Sequence, residues 1–308
     1  MLDGVIVFNK PQDFTSHDVI AKLRGILKMR KLGHAGTLDP MATGVLVVLC
    51  GAATKASDYL LAGEKRYRAG IRLGCVSDTL DIWGDVKSTG CELPGEPALR
   101  EVIDSFRGGY EQTPPMYSAI QKDGVRLYDL ARQGIEVERE SRWIDISDIG
   151  LLSFDGQRGV FDVSCSKGTY IRTLCHDIGA KLGCGAVMDS LERLSSGSFD
   201  ISQAVGFEEL SALAAEGRAE EVLIPMEKIF AHLPRIVLNE NGLKRALNGA
   251  FIDQKMISSG AVPEEDGTLC ALYAPDERLA VLSRSGRLDV DGRPALFYEK
   301  TFYTGDRQ

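Results

Sequence analysis

The stretch from Gly33 to Cys50 constrains this chain most. Gly33-His34-Ala35-Gly36-Thr37-Leu38-Asp39-Pro40-Met41-Ala42-Thr43-Gly44 is polar and glycine-rich, and it runs straight into the apolar Val45-Leu46-Val47-Val48-Leu49-Cys50. A short apolar run behind turn-forming residues reads as a buried strand, which makes the preceding residues a polar loop at the edge of a sheet. Loops on rigid scaffolds are where function concentrates. Asp39 is the loop's one side chain ionised at neutral pH. Taken alone, Asp39-Pro40 also fits an ordinary turn.

With 308 residues, 44% of them hydrophobic, the chain can bury a full core and is long enough for one large and one small domain. Its start, Met1-Leu2-Asp3-Gly4-Val5-Ile6-Val7-Phe8, lacks the basic region and long apolar stretch of a signal peptide, and no run approaches a membrane span. A cytoplasmic location and no membrane partner are therefore expected. Seven cysteines with no Cys-x-x-Cys pair and no Cys/His cluster of zinc spacing imply packed, reduced thiols, without disulfides or metal. The formal charge of −8 argues against indiscriminate nucleic-acid coating. An RNA substrate then needs a local basic surface. Lys22, Arg24, Lys28, Arg30 and Lys31 form one candidate, and Lys65, Arg66, Arg68 and Arg72 a second; either also fits a solvated face.

Residues 4–9 read as a buried strand, and Thr15 or Ser16 caps a helix with Val19, Ile20, Leu23, Ile26 and Leu27 on one face. Residues 54–61 read as helical, stopped by Gly63. In the strand Lys65–Leu73, alternation places Tyr67, Ala69, Ile71 and Leu73 on the apolar face, opposite Arg66, Arg68 and Arg72. Tyr67 thus points inward, as core or as the lining of a pocket. Residues 75–95 are irregular and a helix covers about 97–106. From Gln112 to Gly134, basic and aromatic residues surround a short helix, a composition that suits phosphates and unstacked bases and also a plain surface excursion.

Strands near 142–152 and 159–166 lead to Ser166-Lys167-Gly168-Thr169-Tyr170-Ile171-Arg172-Thr173-Leu174. Here Thr169 is the expected cap of a helix striped by Ile171, Leu174, Cys175, Ile178 and Leu182. Arg172 falls in its first turn, where the helix dipole disfavours a cation. Such a residue calls for a partner: a phosphate, a surface acid or a functional carboxylate. A strand over 186–199, a helix over 207–215 and a boundary near 231–235 complete the larger unit. Beyond it, a short helix at 242–247 and strands at 268–274, 278–284, 288–290 and 294–299 read as a small β-barrel.

Five segments, in this order, resemble motifs of the TruB family of tRNA pseudouridine synthases: Lys10-Pro11-Gln12-Asp13-Phe14-Thr15-Ser16, the Gly33 to Gly44 loop, Lys65-x-Tyr67, the segment 112–134, and Lys167 to Leu174. Asp13 departs from the pattern, standing where many members have Gly. The resemblance implies an α+β fold, with a mixed, largely antiparallel central sheet and flanking helices over residues 1–230. It implies an RNA-clamping insertion at about 110–140 and a PUA-like C-terminal RNA-binding barrel over 235–303.

The implied activity is that of an isomerase, a tRNA pseudouridine(55) synthase acting on the T-arm stem-loop of tRNA, working as a monomer with no obligatory protein partner. By resemblance Asp39 is the nucleophile, attacking either the uracil ring or the ribose anomeric carbon. Arg172 pairs with it through a bidentate hydrogen bond, and Tyr67 stacks on the flipped uracil and is placed to take its C5 proton. His34 fills space vacated by the flipped base, while Tyr170 and Leu191 line the pocket. The reaction has no redox step and no external donor, so neither cofactor nor metal is expected. Two other readings share the scaffold: a non-catalytic tRNA-binding or folding protein, and a guide-RNA-dependent rRNA pseudouridine synthase. An acid-catalysed hydrolase built on Asp39 lacks a recognisable second carboxylate motif.

Overall fold

A computed structural model describes residues 2–303 apart from Ala119, Asp123, Val290 and Asp291. The apolar strands β1 (Gly4–Lys10) and β3 (Thr43–Cys50) are buried along nearly their whole length because they pair in the interior of a nine-stranded sheet. The other principal strands are β2 (Leu32–Ala35), β4 (Lys65–Leu73), β5 (Ile146–Phe154), β6 (Arg158–Cys165) and β7 (Ala186–Ser196). The sheet runs β5-β6-β4-β7-β3-β1 and ends on the short strand Ile224–Pro225, while β2 pairs with β3 and Phe199–Asp200 turns back on β7. Every pairing in this sheet is antiparallel except β7 with β3, which run parallel through Glu192↔Thr43 and Arg193↔Gly44. The expected mixed, largely antiparallel sheet is therefore present, and its two antiparallel halves meet at that junction.

Helix α1 (Ser16–Ile26) opens on a capping box: Thr15 Oγ1 accepts from Asp18 N (3.0 Å) and Asp18 Oδ2 accepts from Thr15 N (2.9 Å). Its Val19, Ile20 and Leu23 pack with Ile6, Phe8, Leu46 and Val48. Helices α2 (Glu96–Asp104) and α3 (Ile171–Leu182) share a second apolar cluster with β4, β6 and β7, to which Leu38, Tyr67, Leu174 and Leu191 contribute. A third cluster joins Val5, Val7, Val45 and Val47 to Phe230, Ala271, Tyr273 and Phe302, so the C-terminal unit packs directly on the sheet.

Several expectations need correction. Gly33 and His34 lie in strand β2, paired His34↔Val48, so the loop proper is shorter than the polar dozen suggests. Residues 51–56 form a 3-10 turn before a short α-helix, Ser57–Leu61. Helix α3 begins after Tyr170 without a side-chain cap, because Thr169 Oγ1 instead donates back to Ser166 O (2.9 Å). The second basic cluster does not form one surface. Lys65 is buried with Nζ on Leu61 O and Gly63 O (both 2.5 Å), and Arg66 and Arg68 share Asp162 (2.8 and 2.9 Å).

The C-terminal strands follow the open order Ile257–Ser259, Arg235–Leu238, Leu269–Tyr273, Leu279–Arg287, Pro294–Thr301, with the helix Glu240–Leu247 beside them. This is a five-stranded sheet whose described pairings do not close into the expected barrel. Of the strand expected at 288–290, Leu288 lies in a turn to Arg293 and Val290 falls outside the described residues.

Candidate active site

The Asp39 loop sits where β3 and β7 meet, and it is held from beneath. Gly44 opens the loop's exit with φ 94°, and a Cβ there would stand 2.3 Å from Arg193 O on the adjoining strand. Only glycine permits that approach. Ser16 Oγ accepts from Leu38 N (2.9 Å) and lies 3.2 Å from Leu38 O, and Asp13 N donates to Pro40 O (3.0 Å). Asp13 has φ 67°, the left-handed region that glycine adopts freely and Asp tolerates. Its departure from the family motif is thereby accommodated without loss of the contact to the loop.

Two buried cations lie under the loop. The fully buried Lys10 gives Nζ to Phe14 O (2.6 Å), Pro11 O (3.0 Å) and Pro40 O (3.2 Å). Burial brings its pKa down to about 8, with Asp39 the leading opposing influence. Arg193, 1% exposed, donates Nε to Val45 O (2.7 Å) and Nη2 to Gly36 O (2.9 Å), tying strand and loop together. The only hint of it in the sequence is that it alternates with Leu191 on the inward side of its strand.

Arg172 reaches the loop from the first turn of α3. Its Nη2 lies 3.4 Å from Asp39 Oδ2 and donates to Tyr117 O (2.6 Å), while Nη1 lies 3.8 Å from Asp81 Oδ2. The pairing with Asp39 is thus an ion pair at 3.4 Å and not a bidentate hydrogen bond, with the guanidinium divided between two carboxylates and a carbonyl. Asp81 comes from the irregular 75–95 segment, where nothing in the sequence distinguishes it. It is buried and held by Thr79 Oγ1 (2.7 Å) and Trp83 N (3.0 Å). Burial raises the Asp39 pKa above the usual carboxylate range, Arg172 is the leading influence pulling it back, Asp81 adds to the rise and Lys10 opposes it. Keeping Asp39 ionised is therefore a task for its surroundings.

Tyr67 lies beside this group, paired across strands with Arg193 and packed among Leu38, Met41 and Leu191. Burial raises its phenol pKa, against the pull of Arg193. Leu191 is 8% exposed, and Tyr170 places its ring near both Arg142 (5.4 Å) and Arg172 (5.9 Å). Asp39, Tyr67, Arg172, Tyr170 and Leu191 are thus brought together. His34 lies on β2: its Nδ1 is buried without a hydrogen-bond partner, and burial, then Arg193, lower its pKa. Among the described residues no group of three or more His, Cys, Asp or Glu is arranged to hold a metal, and all seven cysteines are free thiols.

Chains from solved complexes share this fold. The chain superposes on a protein in a Cbf5-Nop10-Gar1 complex with TM-score 0.73 and 29% identity, covering 97% of this chain and 85% of that one. A chain from an H/ACA RNP bound to a substrate RNA containing 2'-deoxyuridine gives TM-score 0.72 at 26% identity, with 98% and 86% covered. Together with the family models that match, the fold defines the class as that of the pseudouridylate synthases.

Within that class, residues 24–171 match the TruB family pseudouridylate synthase N-terminal domain, and residues 172–231 the tRNA pseudouridylate synthase B C-terminal domain. The protein named tRNA pseudouridine synthase B from Syntrophotalea carbinolica is 44% identical, over 91% of each chain. That from Geobacter sulfurreducens is 47% identical over 84% of this chain and 86% of its own. The Bacillus licheniformis protein is 40% identical over 99% and 96%. The chain belongs to the TruB family.

Proposed function

We infer that this chain is an isomerase that converts uridine in tRNA to pseudouridine, and propose position 55 of the T loop as its target. The observation that carries the reading is the Asp39 carboxylate, partly exposed at the sheet junction and paired with Arg172, with Tyr67 and Leu191 beside it. In the reaction the N1–C1′ bond breaks, a C5–C1′ bond forms on the same uracil, N1 gains a proton and C5 loses one to water. A nucleophile that forms a transient covalent intermediate suffices, and Asp39 is the group placed for it. The target base leaves its stack at a cost of about a few kcal/mol. Tyr67, a neutral phenol at rest, supplies a stacking surface, Leu191 and Tyr170 the remaining walls, and His34 a filler for the vacated space.

Residues 1–230 are the proposed catalytic domain, 110–140 its RNA clamp and 235–303 a further RNA-binding unit. We propose that the protein acts as a monomer in the cytoplasm, without cofactor. No helix among the described residues is long and apolar enough to cross a membrane. Identity of 40–47% to the proteins named tRNA pseudouridine synthase B, against 26–29% to the chains from the ribonucleoprotein assemblies, favours tRNA over a guide-RNA-directed target.

The test uses tRNA transcript tritiated at uridine C5, with wild type and Asp39→Asn side by side. Wild type is expected to release tritium from the T loop, and Asp39→Asn to lose at least about 10³-fold in rate. Retained tRNA binding with no release by wild type would instead make the chain a binding protein.

A further inference from the structure

We propose that Gln112 is a positioning residue that sets Arg172 against Asp39 and joins the base of the RNA clamp to the reacting centre. This rests on the proposed isomerase reading. Gln112 is 1% exposed and ends the strand Tyr110–Gln112, which pairs with Arg142–Ile144 to form the two-stranded neck of the 113–141 excursion. Its amide grips one residue from both sides: Oε1 accepts from Tyr170 N (2.8 Å) and Nε2 donates to Tyr170 O (3.1 Å). A side-chain amide thus copies the hydrogen-bonding pattern of a neighbouring strand at the residue just before α3, which carries no side-chain cap.

The grip is itself anchored. Gln112 Nε2 also donates to Tyr110 Oη (2.8 Å), and that hydroxyl donates to Asp177 Oδ2 (2.7 Å) on the second turn of α3. The start of the helix is thus tied to its own middle through the neck. Two further contacts run from the excursion to the same short segment. Arg142, paired opposite Gln112, donates to Gly168 O, and Tyr117 O accepts from Arg172 Nη2. Neck and excursion therefore meet residues 168–172 through three residues, Gln112, Arg142 and Tyr117, and of these Gln112 alone holds backbone on both sides of a residue.

Arg172 meets Asp39 as an ion pair at 3.4 Å, with no hydrogen bond to hold it, so a small shift of the helix start weakens it. Misplacement by about 1 Å costs a positioned reaction on the order of 100-fold. Gln112 hydrogen-bonds to neither Asp39 nor the Arg172 side chain; its partners are Tyr170 and Tyr110. Its influence passes through the backbone of Tyr170, which makes it a positioning residue and not a catalytic one.

The experiment compares single-turnover tritium release and tRNA dissociation constants for wild type, Gln112→Met and Gln112→Glu. Gln112→Met keeps the length and loses all three hydrogen bonds; its rate is expected to fall about 10- to 100-fold while the dissociation constant stays within about twofold. Gln112→Glu keeps the acceptor for Tyr170 N, and its rate should lie between the two. In an Arg172→Lys background, Gln112→Met should add little, since both changes act on one contact. Unchanged rates in both variants overturn the proposal, as do rates that fall only in step with tRNA affinity or losses that add fully to Arg172→Lys. If Gln112→Met fails to fold, Gln112→Glu decides by the same split. Wild type showing no release refutes the isomerase reading itself, a result distinct from all of these.

Discussion

The floor of the site and the 113–141 excursion, the proposed clamp, are built by opposite means. Beneath Asp39, β1 and β3 are buried almost end to end, and even the charged side chains Lys10 and Arg193 are enclosed and given to backbone carbonyls. Between residues 113 and 141, the buried positions among those described are Pro114, Pro115, Ser118 and Leu127, while Val125 and Ile135 are exposed. Its polar contacts are mostly exposed ones, such as Arg126 to Tyr128 Oη (3.0 Å) and Arg139 to Glu136 (3.0 Å). Exposed pairs of this kind contribute about 0–1 kcal/mol, whereas an unsatisfied buried group costs about 1–3 kcal/mol. The nucleophile proposed at Asp39 needs a fixed address, and the floor provides it. A surface that receives a folded RNA needs charge and aromatic faces more than rigidity, and the excursion offers those.

The comparison breaks most clearly at Arg193. Arg193→Met leaves Val45 O and Gly36 O without their buried donors, so urea unfolding should show a loss of about 2–4 kcal/mol. A loss below about 0.5 kcal/mol would place this arginine with the surface charges.

Lys10 sharpens the contrast through pH. Its folded pKa of about 8 lies below the ordinary 10.5, so across that window the unfolded chain holds a proton that the folded chain has released. Stability due to Lys10 therefore rises with pH there and is lowest below pH 8. Measured by urea unfolding at about pH 7 and about pH 10, wild type should gain relative to Lys10→Met. A constant difference between the two would mean that the ammonium is not penalised by burial.

The smallest effect belongs to the clamp. Replacing Arg126 and Arg132 by Ala together should weaken tRNA binding about three- to tenfold and lower the salt slope by about one to two, with melting temperature and single-turnover rate unchanged. A fall in rate at saturating tRNA would show that these arginines belong to the precise part of the machine.

Much of the frame was legible from local pattern. The strand Lys65–Leu73 has the expected bounds, with Tyr67 inward and Arg66 and Arg68 outward. The capping box at Thr15 and the helix Phe207–Ala215 also lie where local signals put them. The cap at Thr169 was misread because a Thr before an apolar stripe looks the same whether its hydroxyl turns forward to the helix or back to Ser166.

Local residue order by itself determined the strands, the helix faces and the loop that presents Asp39, because periodicity and turn chemistry act over a few residues. Tertiary structure alone decided which charges and amides meet: Asp81 beside Arg172, Arg193 beneath Gly36, and Gln112 on Tyr170. These partners lie 91, 157 and 58 positions apart in the chain. Hydrogen bonds and Coulomb forces act across space and leave no period in the sequence, so only the folded sheet could bring them to one place.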